Sequence, residues 1–206
     1  VAANDREFEK GGTLPQALLG ARGFDPNTGA RSGGITEPTI VEVPADAVLL
    51  RLYQNPIREL GRWWFTPHEL RQIIDHFGRV GSAFAEGRQQ GKGILHATLA
   101  VLQEWEDENL PTAGQLELFI VIQLQQPMKA YFGEGDVAVD KAQKKVLRPV
   151  MISDSQGHRR GVRQLFLPEL WNYQTAFKKL RRGLSSDGDL IAAASAYGTR
   201  KLPFET

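Results

Sequence analysis

Gln115 to Leu124 reads Q-L-E-L-F-I-V-I-Q-L, and this stretch decides the fold. Its period is two: Leu116, Leu118, Ile120, Ile122 and Leu124 point one way, Phe119 and Val121 the other. Both sets are apolar, so this strand belongs in the middle of a sheet covered on both faces. Val48 to Tyr53 (V-L-L-R-L-Y) is a second nearly continuous apolar run of the same kind, ended by Asn55-Pro56.

Shorter strands are expected around these two. Ile40, Val41 and Val43 form one, closed by the Pro44-Ala45-Asp46 turn. Arg62 to Thr66 (R-W-W-F-T) is aromatic-rich and short, with Trp63 and Phe65 on one face and Trp64 on the other. Met128 to Phe132 follows Pro127 and runs into a Gly133-Glu134-Gly135-Asp136 turn. Val146 to Ile152 and Val162 to Leu167 read as two more strands, joined by the polar loop Ser153 to Gly157.

Helices interrupt the strands in blocks. Thr66-Pro67-His68-Glu69 has the capping-box spacing, and Leu70, Ile73, Ile74 and Phe77 follow at helical intervals. A glycine-rich loop over 81–93 and a second amphipathic helix from Ile94 to Asp107 are expected next. Asn172 is read as the cap of a helix with Tyr173, Ala176, Phe177 and Leu180 inward, stopped by Gly183. Asp189 to Tyr197 reads as a final helix. Strands and helices do not alternate strictly, which excludes a doubly wound parallel sheet. The expected class is α+β: two small packed, mostly antiparallel sheets with helices on one side. Residues 1–37 read as a linker-like arm with a short helix at Leu14–Leu19, 38–183 as the main domain, and 184–206 as a C-terminal helical tail.

Composition narrows the chemistry. The chain has 206 residues and no cysteine, which removes disulfides, zinc–thiolate sites and a thiol nucleophile. Four histidines, at 68, 76, 96 and 158, show no metal-ligand spacing, so no metal site is expected. No phosphate-binding glycine loop and no serine nucleophile elbow occurs. No apolar run approaches the roughly 20 residues of a membrane span, so no membrane partner is expected. The chain opens on Val1, the expected mark of a piece processed or excised from something longer.

Five positions stand out. Arg51 interrupts an apolar strand, and a buried guanidinium demands a partner. That partner is a carboxylate such as Glu42 or Asp46, a row of carbonyls, or the phosphate or ribose edge of a ligand at the mouth of a cleft. Trp64 and Phe65 read either as core or as a stacking surface. Thr66 is a helix cap, and a capped helix N-terminus is also where anions bind. Gln164 opens a strand after a flexible loop, its side chain on the face of Phe166; the plain alternative is an ordinary edge glutamine.

Three of these pieces occur in a specific order: Leu49-Leu50-Arg51-Leu52-Tyr53, then Gly61 to Thr66, then Gly161 to Pro168. Over about residues 48–170 this order resembles bacterial ADP-ribosyltransferase-like toxins and their NAD-glycohydrolase relatives. The resemblance implies a glycosyltransferase effector that takes NAD as co-substrate, with no metal. It also implies an ADP-ribosyltransferase-like fold. By it, Arg51 and Tyr53 orient the dinucleotide, Trp64, Phe65 and Thr66 shape the nicotinamide pocket, and Gln164 binds the ribose 2′-hydroxyl. Arg51 and Gln164 are then the catalytic pair. Family members usually carry glutamate at the last position, and a glutamine brings no charge to an oxocarbenium-like transition state. The implied partners are NAD, a target macromolecule (protein or nucleic acid) and an immunity or antitoxin protein. The implied setting is a soluble protein, secreted or delivered into a target cell's cytoplasm.

Two other readings compete. Residues 142–182 hold ten Lys/Arg against Asp154 and Glu169, enough to track a phosphate backbone in a non-catalytic nucleic-acid- or protein-binding module. A purely structural or interaction domain would instead salt-bridge Arg51 inside its core.

Overall fold

The computed structural model of the chain describes residues 1–9, 16–24, 33–53, 56–80, 118–136, 138–140, 145–147, 151–153, 156–184 and 187–205. In chain order the helices are α1 (Arg6–Glu9), α2 (Gln16–Ala21), α3 (Pro67–Val80) and α4 (Asp187–Tyr197). The strands begin with β1 (Thr39–Val43), β2 (Val48–Tyr53), β3 (Trp63–Trp64), β4 (Leu118–Leu124) and β5 (Met128–Glu134). They continue with β6 (Ala138–Asp140), β7 (Lys145–Leu147), β8 (Met151–Ser153), β9 (Arg159–Gly161), β10 (Arg163–Phe166) and β11 (Phe177–Leu184). The expected glycine-rich loop 81–93 and the helix from Ile94 to Asp107 lie outside the described residues.

β4 occupies the middle of a three-stranded sheet in the order β11-β4-β2. Its alternation is realised: Ile120, Ile122 and Leu124 enter one core cluster with Leu49 and Tyr53 of β2. Phe119 and Val121 enter another with Leu50 and Leu52. Both faces are covered, which is why neither strand shows a polar stripe. A four-stranded sheet, β1-β5-β10-β3, lies beside it, and one bridge between Leu50 and Phe65 joins the two. All described pairings are antiparallel. The α+β class expected from the sequence is therefore observed.

α3 and α4 pack on each other over the second cluster, with Leu70, Ile73, Leu190, Ala193 and Ala194 buried there. The capping box is present, the Glu69 N–H donating to Thr66 Oγ1 at 3.0 Å. The opposite side is closed by the N-terminal arm, which is built into the fold rather than draped on it. The Asn4 side chain donates to the Lys129 carbonyl and accepts from the Lys129 N–H, both at 2.8 Å, and Ala21 and Ile35 are fully buried.

Three sequence expectations need correction. The basic helix from Asn172 is short 3₁₀ turns over Leu170–Asn172 and Gln174–Ala176, followed by strand β11 paired along β4. Phe177 enters the first core cluster and Leu180 packs against the second, so a strand covered on both faces carries apolar residues three apart and imitates helical spacing, with a bulge between Lys179 and Arg181. Gly183 is not a helix stop. A Cβ there would lie 2.7 Å from the Phe119 ring, so glycine is what lets β11 close on β4. The Gly133–Asp136 segment is not a turn: β5 runs through Glu134, and Gly135 bridges Ile35 of the arm. Finally, the expected strand Val146–Ile152 is divided between β7, paired with β6, and β8, paired with β9.

Candidate functional site

The three segments singled out in the sequence become neighbours in space. β3 pairs with β10 through Leu165–Trp64 and Phe166–Trp63, and its extension pairs with β2 through Phe65–Leu50. The strands that carry Arg51, the Trp64-Phe65-Thr66 run and Gln164 thus lie side by side, with β3 in the middle.

The contact between β2 and β3 is a single bridge, and beyond it the strands part. Arg51 fills the opening. Its Cβ leaves β2 on the face of Leu49 and Tyr53, and its guanidinium donates from Nη1 to the Trp63 carbonyl at 2.8 Å. The same group lies flat on Gly61, where a Cβ would stand 2.1 Å from Arg51 Nη2, so only glycine admits the guanidinium. Loss of hydration lowers the Arg51 pKa to about 10. Of the carboxylates proposed for it, Asp46 accepts from Arg200 at 2.7 Å.

The aromatic residues divide as the alternation requires. Trp64 is fully buried in the first cluster and donates its indole N–H to the Gly61 carbonyl at 2.8 Å. Phe65 is buried in the second cluster, and Trp63 packs edge-on against Phe166 at 4.9 Å. Tyr53 is buried beside Glu59, and burial first, then the Glu59 charge, raises its pKa. Thr66 serves two partners, since its hydroxyl meets both the Glu69 N–H and the carboxylate of Glu205 from the C-terminal segment. Burial holds the Glu205 carboxyl above its ordinary pKa against the hydrogen bonds from Thr66 and Leu202.

Gln164 sits on the face opposite Trp64 and Leu165, the side of Phe65. It shares that side with Phe166, as the alternation of β10 requires. It is buried, and its Nε2 donates to the Gly34 carbonyl of the N-terminal arm at 2.8 Å. The register therefore sets the Cβ atoms of Arg51 and Gln164 on opposite faces of the joined sheets. The structure brings the two strands together but does not bring these two side chains onto one face.

Sequence reading missed the carboxylates that brace this region. Buried Glu69 receives both Nη atoms of Arg160, at 2.6 and 2.7 Å, and the Arg163 N–H at 2.8 Å. Glu134 accepts from the Gly161 N–H at 2.9 Å. Together they fix the bend that leads into Gln164. Buried Glu59 takes Lys179 at 2.6 Å and Arg182 at 2.8 Å. Burial alone would raise the Glu59 pKa, but the hydrogen bonds from Arg182 and Lys179 outweigh it and hold the carboxylate below its ordinary value. Glu69 had one legible signal, its place in the capping box; Glu59 and Glu134 had none.

Among the described residues no cluster of three His, Asp or Glu is placed to hold a metal ion. No described helix is long and apolar enough to cross a membrane. No family model matches the chain. No curated protein matches it. Among solved structures the chain is similar to one described as Rhs1-CT in complex with its cognate immunity protein RhsI1. The two are 12% identical with a TM-score of 0.45, over 85% of this chain and 99% of that one.

Proposed function

We propose that the chain breaks the nicotinamide–ribose bond of NAD and passes ADP-ribose to water or to a macromolecule, as a toxin-like effector. One observation carries this reading: three segments far apart in sequence, each matching a different motif of the resemblance, lie on three adjacent strands.

In this reading Arg51 holds the pyrophosphate, because a guanidinium in a poorly hydrated site pairs strongly with phosphate oxygens. Tyr53 and Thr66 belong to the nicotinamide end, and Trp64 and Phe65, buried in the core on opposite faces, support it from behind. The bond between ribose C1′ and the nicotinamide nitrogen breaks with its electron pair going to nitrogen, so nicotinamide leaves neutral. Positive charge develops on the ribose, and Gln164 Oε1 accepts the 2′-hydroxyl hydrogen bond there. Water adds through oxygen at C1′ and releases its proton to solvent, or a nucleophile of the target takes its place. An enzyme of this kind consumes a coenzyme of the cell that makes it, so a neutralising immunity or antitoxin partner belongs to the proposal.

The binding-module alternative is weaker. Four of the basic residues in 142–182 are committed to carboxylates: Arg160 to Glu69, Lys179 and Arg182 to Glu59, Arg181 to Asp189. They are less available to a phosphate backbone.

The test is incubation with NAD and measurement of released nicotinamide, with Gln164→Ala as control. Release that falls about 100-fold or more in the variant supports the reading, the scale expected for losing one group that stabilises a transition state. Absence of release from the unaltered chain, with no calorimetric binding of NAD, would refute it.

A further inference from the structure

Resting on that reading, we infer that position 164 is built for a neutral carboxamide, and that the Gly34 carbonyl of the N-terminal arm sets which end of it meets the ligand. A glutamine carries a donor and an acceptor at the two ends of one planar group, and its neighbours decide the orientation. Here the neighbour is an acceptor. The Gly34 oxygen lies 2.8 Å from Nε2, so the nitrogen end turns to the arm and the oxygen end turns away. That oxygen is the atom the proposed reaction needs, because it alone can accept from a ribose hydroxyl.

The arm is shaped to put its carbonyl there. Gly34 has φ +92, and a Cβ would fall 2.4 Å from the Gly23 nitrogen and 2.5 Å from the Arg22 carbonyl carbon. Only glycine satisfies both the backbone conformation and the space. The Gly34 oxygen also accepts from the Asp136 N–H at 2.8 Å, and the Ile35 N–H donates to the Ala21 carbonyl at 2.8 Å. These bonds hold the segment from both sides. Ile35 fills the space over Gly133, where a Cβ would come within 2.5 Å of its Cγ2, and Gly133 is the β5 partner of Gln164. The two glycines let the arm pack closely on β5 beside Gln164.

A glutamate at 164 would keep the shape and reverse this match. A carboxylate oxygen would face the Gly34 oxygen at hydrogen-bond distance, acceptor against acceptor, in a buried place. The carboxyl would bind a proton to escape that contact, so its pKa would lie above the ordinary glutamate range. Glutamine at this position is therefore a requirement of the arm, not a worn glutamate.

The experiment compares the full chain with Gln164→Glu and Gln164→Ala, following nicotinamide release from NAD and melting temperature between pH 4.5 and pH 8 as rough limits. At neutral pH, Gln164→Glu should lose about 100-fold in kcat, the scale of one lost transition-state donor or acceptor. Its KM should change less, because Arg51 is untouched. Below its raised pKa the protonated glutamate can donate to Gly34, so melting temperature and turnover should both recover on acidification. Gln164→Ala should show no such recovery. Gln164→Glu activity equal to or above the unaltered chain at neutral pH, or a pH profile that parallels Gln164→Ala, would overturn the inference while leaving NAD cleavage in place. No release by the unaltered chain would remove both.

Discussion

β2 has two flanks, and they are built differently. Towards β4 it pairs through six consecutive residues, Val48–Gln123 to Tyr53–Leu118, with apolar side chains filling both faces. Towards β3 it makes one bridge, Leu50–Phe65, and then an arginine side chain takes over from backbone pairing. A ladder satisfies its amides by itself. A parted pair of strands leaves polar backbone that a side chain must reach, as Arg51 reaches the Trp63 carbonyl. The closed flank holds the fold together, and the open flank is where the proposed site is placed.

The largest effect that sharpens this contrast belongs on the closed flank. Ile120→Ala removes a fully buried side chain from the middle of β4 and should cost about 2–5 kcal/mol in urea unfolding. A loss below about 1 kcal/mol, the range of a volume-conserving swap, would mean the three-stranded sheet does not carry the stability assigned to it. Arg51→Lys probes the open flank with less damage. Lysine keeps the charge but cannot lie flat on Gly61 while reaching both the Trp63 carbonyl and a phosphate. The expected result is about 10- to 100-fold weaker NAD binding by calorimetry, the scale of one or two charge-assisted hydrogen bonds. Unchanged affinity would take Arg51 out of the dinucleotide site.

The smallest effect concerns the C-terminal segment at the head of α3. Because the folded Glu205 carboxyl holds its proton above the ordinary value, the folded chain binds more protons than the unfolded one between those two pKa values. Its contribution to stability is therefore fully present at low pH and declines as pH rises through the folded pKa. Glu205→Gln should remove that decline, leaving melting temperature flatter across the mildly acidic range. A variant whose pH profile follows the unaltered chain would show that Glu205 is not buried against Thr66.

Most of the closed flank was legible in the sequence. The alternation of 116–124 and the apolar run of 48–53 state which faces are covered, and the Thr66–Glu69 box states where α3 begins. β11 was misread because its apolar residues serve both faces, Phe177 one cluster and Leu180 the other, and an apolar spacing of three then looks helical. The open flank was legible only in part. The motif order identified the strands that meet there, because each strand carries an unusual residue. The arm's role was hidden, since Gly34 acts through a backbone carbonyl and its sequence context is that of a loop. Glu69 and Glu59 were hidden for a related reason: a buried carboxylate is recognised by the arginines and lysines that find it, and those come from 91 to 123 residues away.

The central claim is spatial, and a crystal structure with an uncleavable NAD analogue tests it most directly. The account predicts the pyrophosphate within hydrogen-bond distance of Arg51, the nicotinamide ribose hydroxyl on Gln164 Oε1, and Gln164 Nε2 still on the Gly34 carbonyl. An analogue bound elsewhere on the chain, or bound with the opening between β2 and β3 still closed by Arg51, would contradict it.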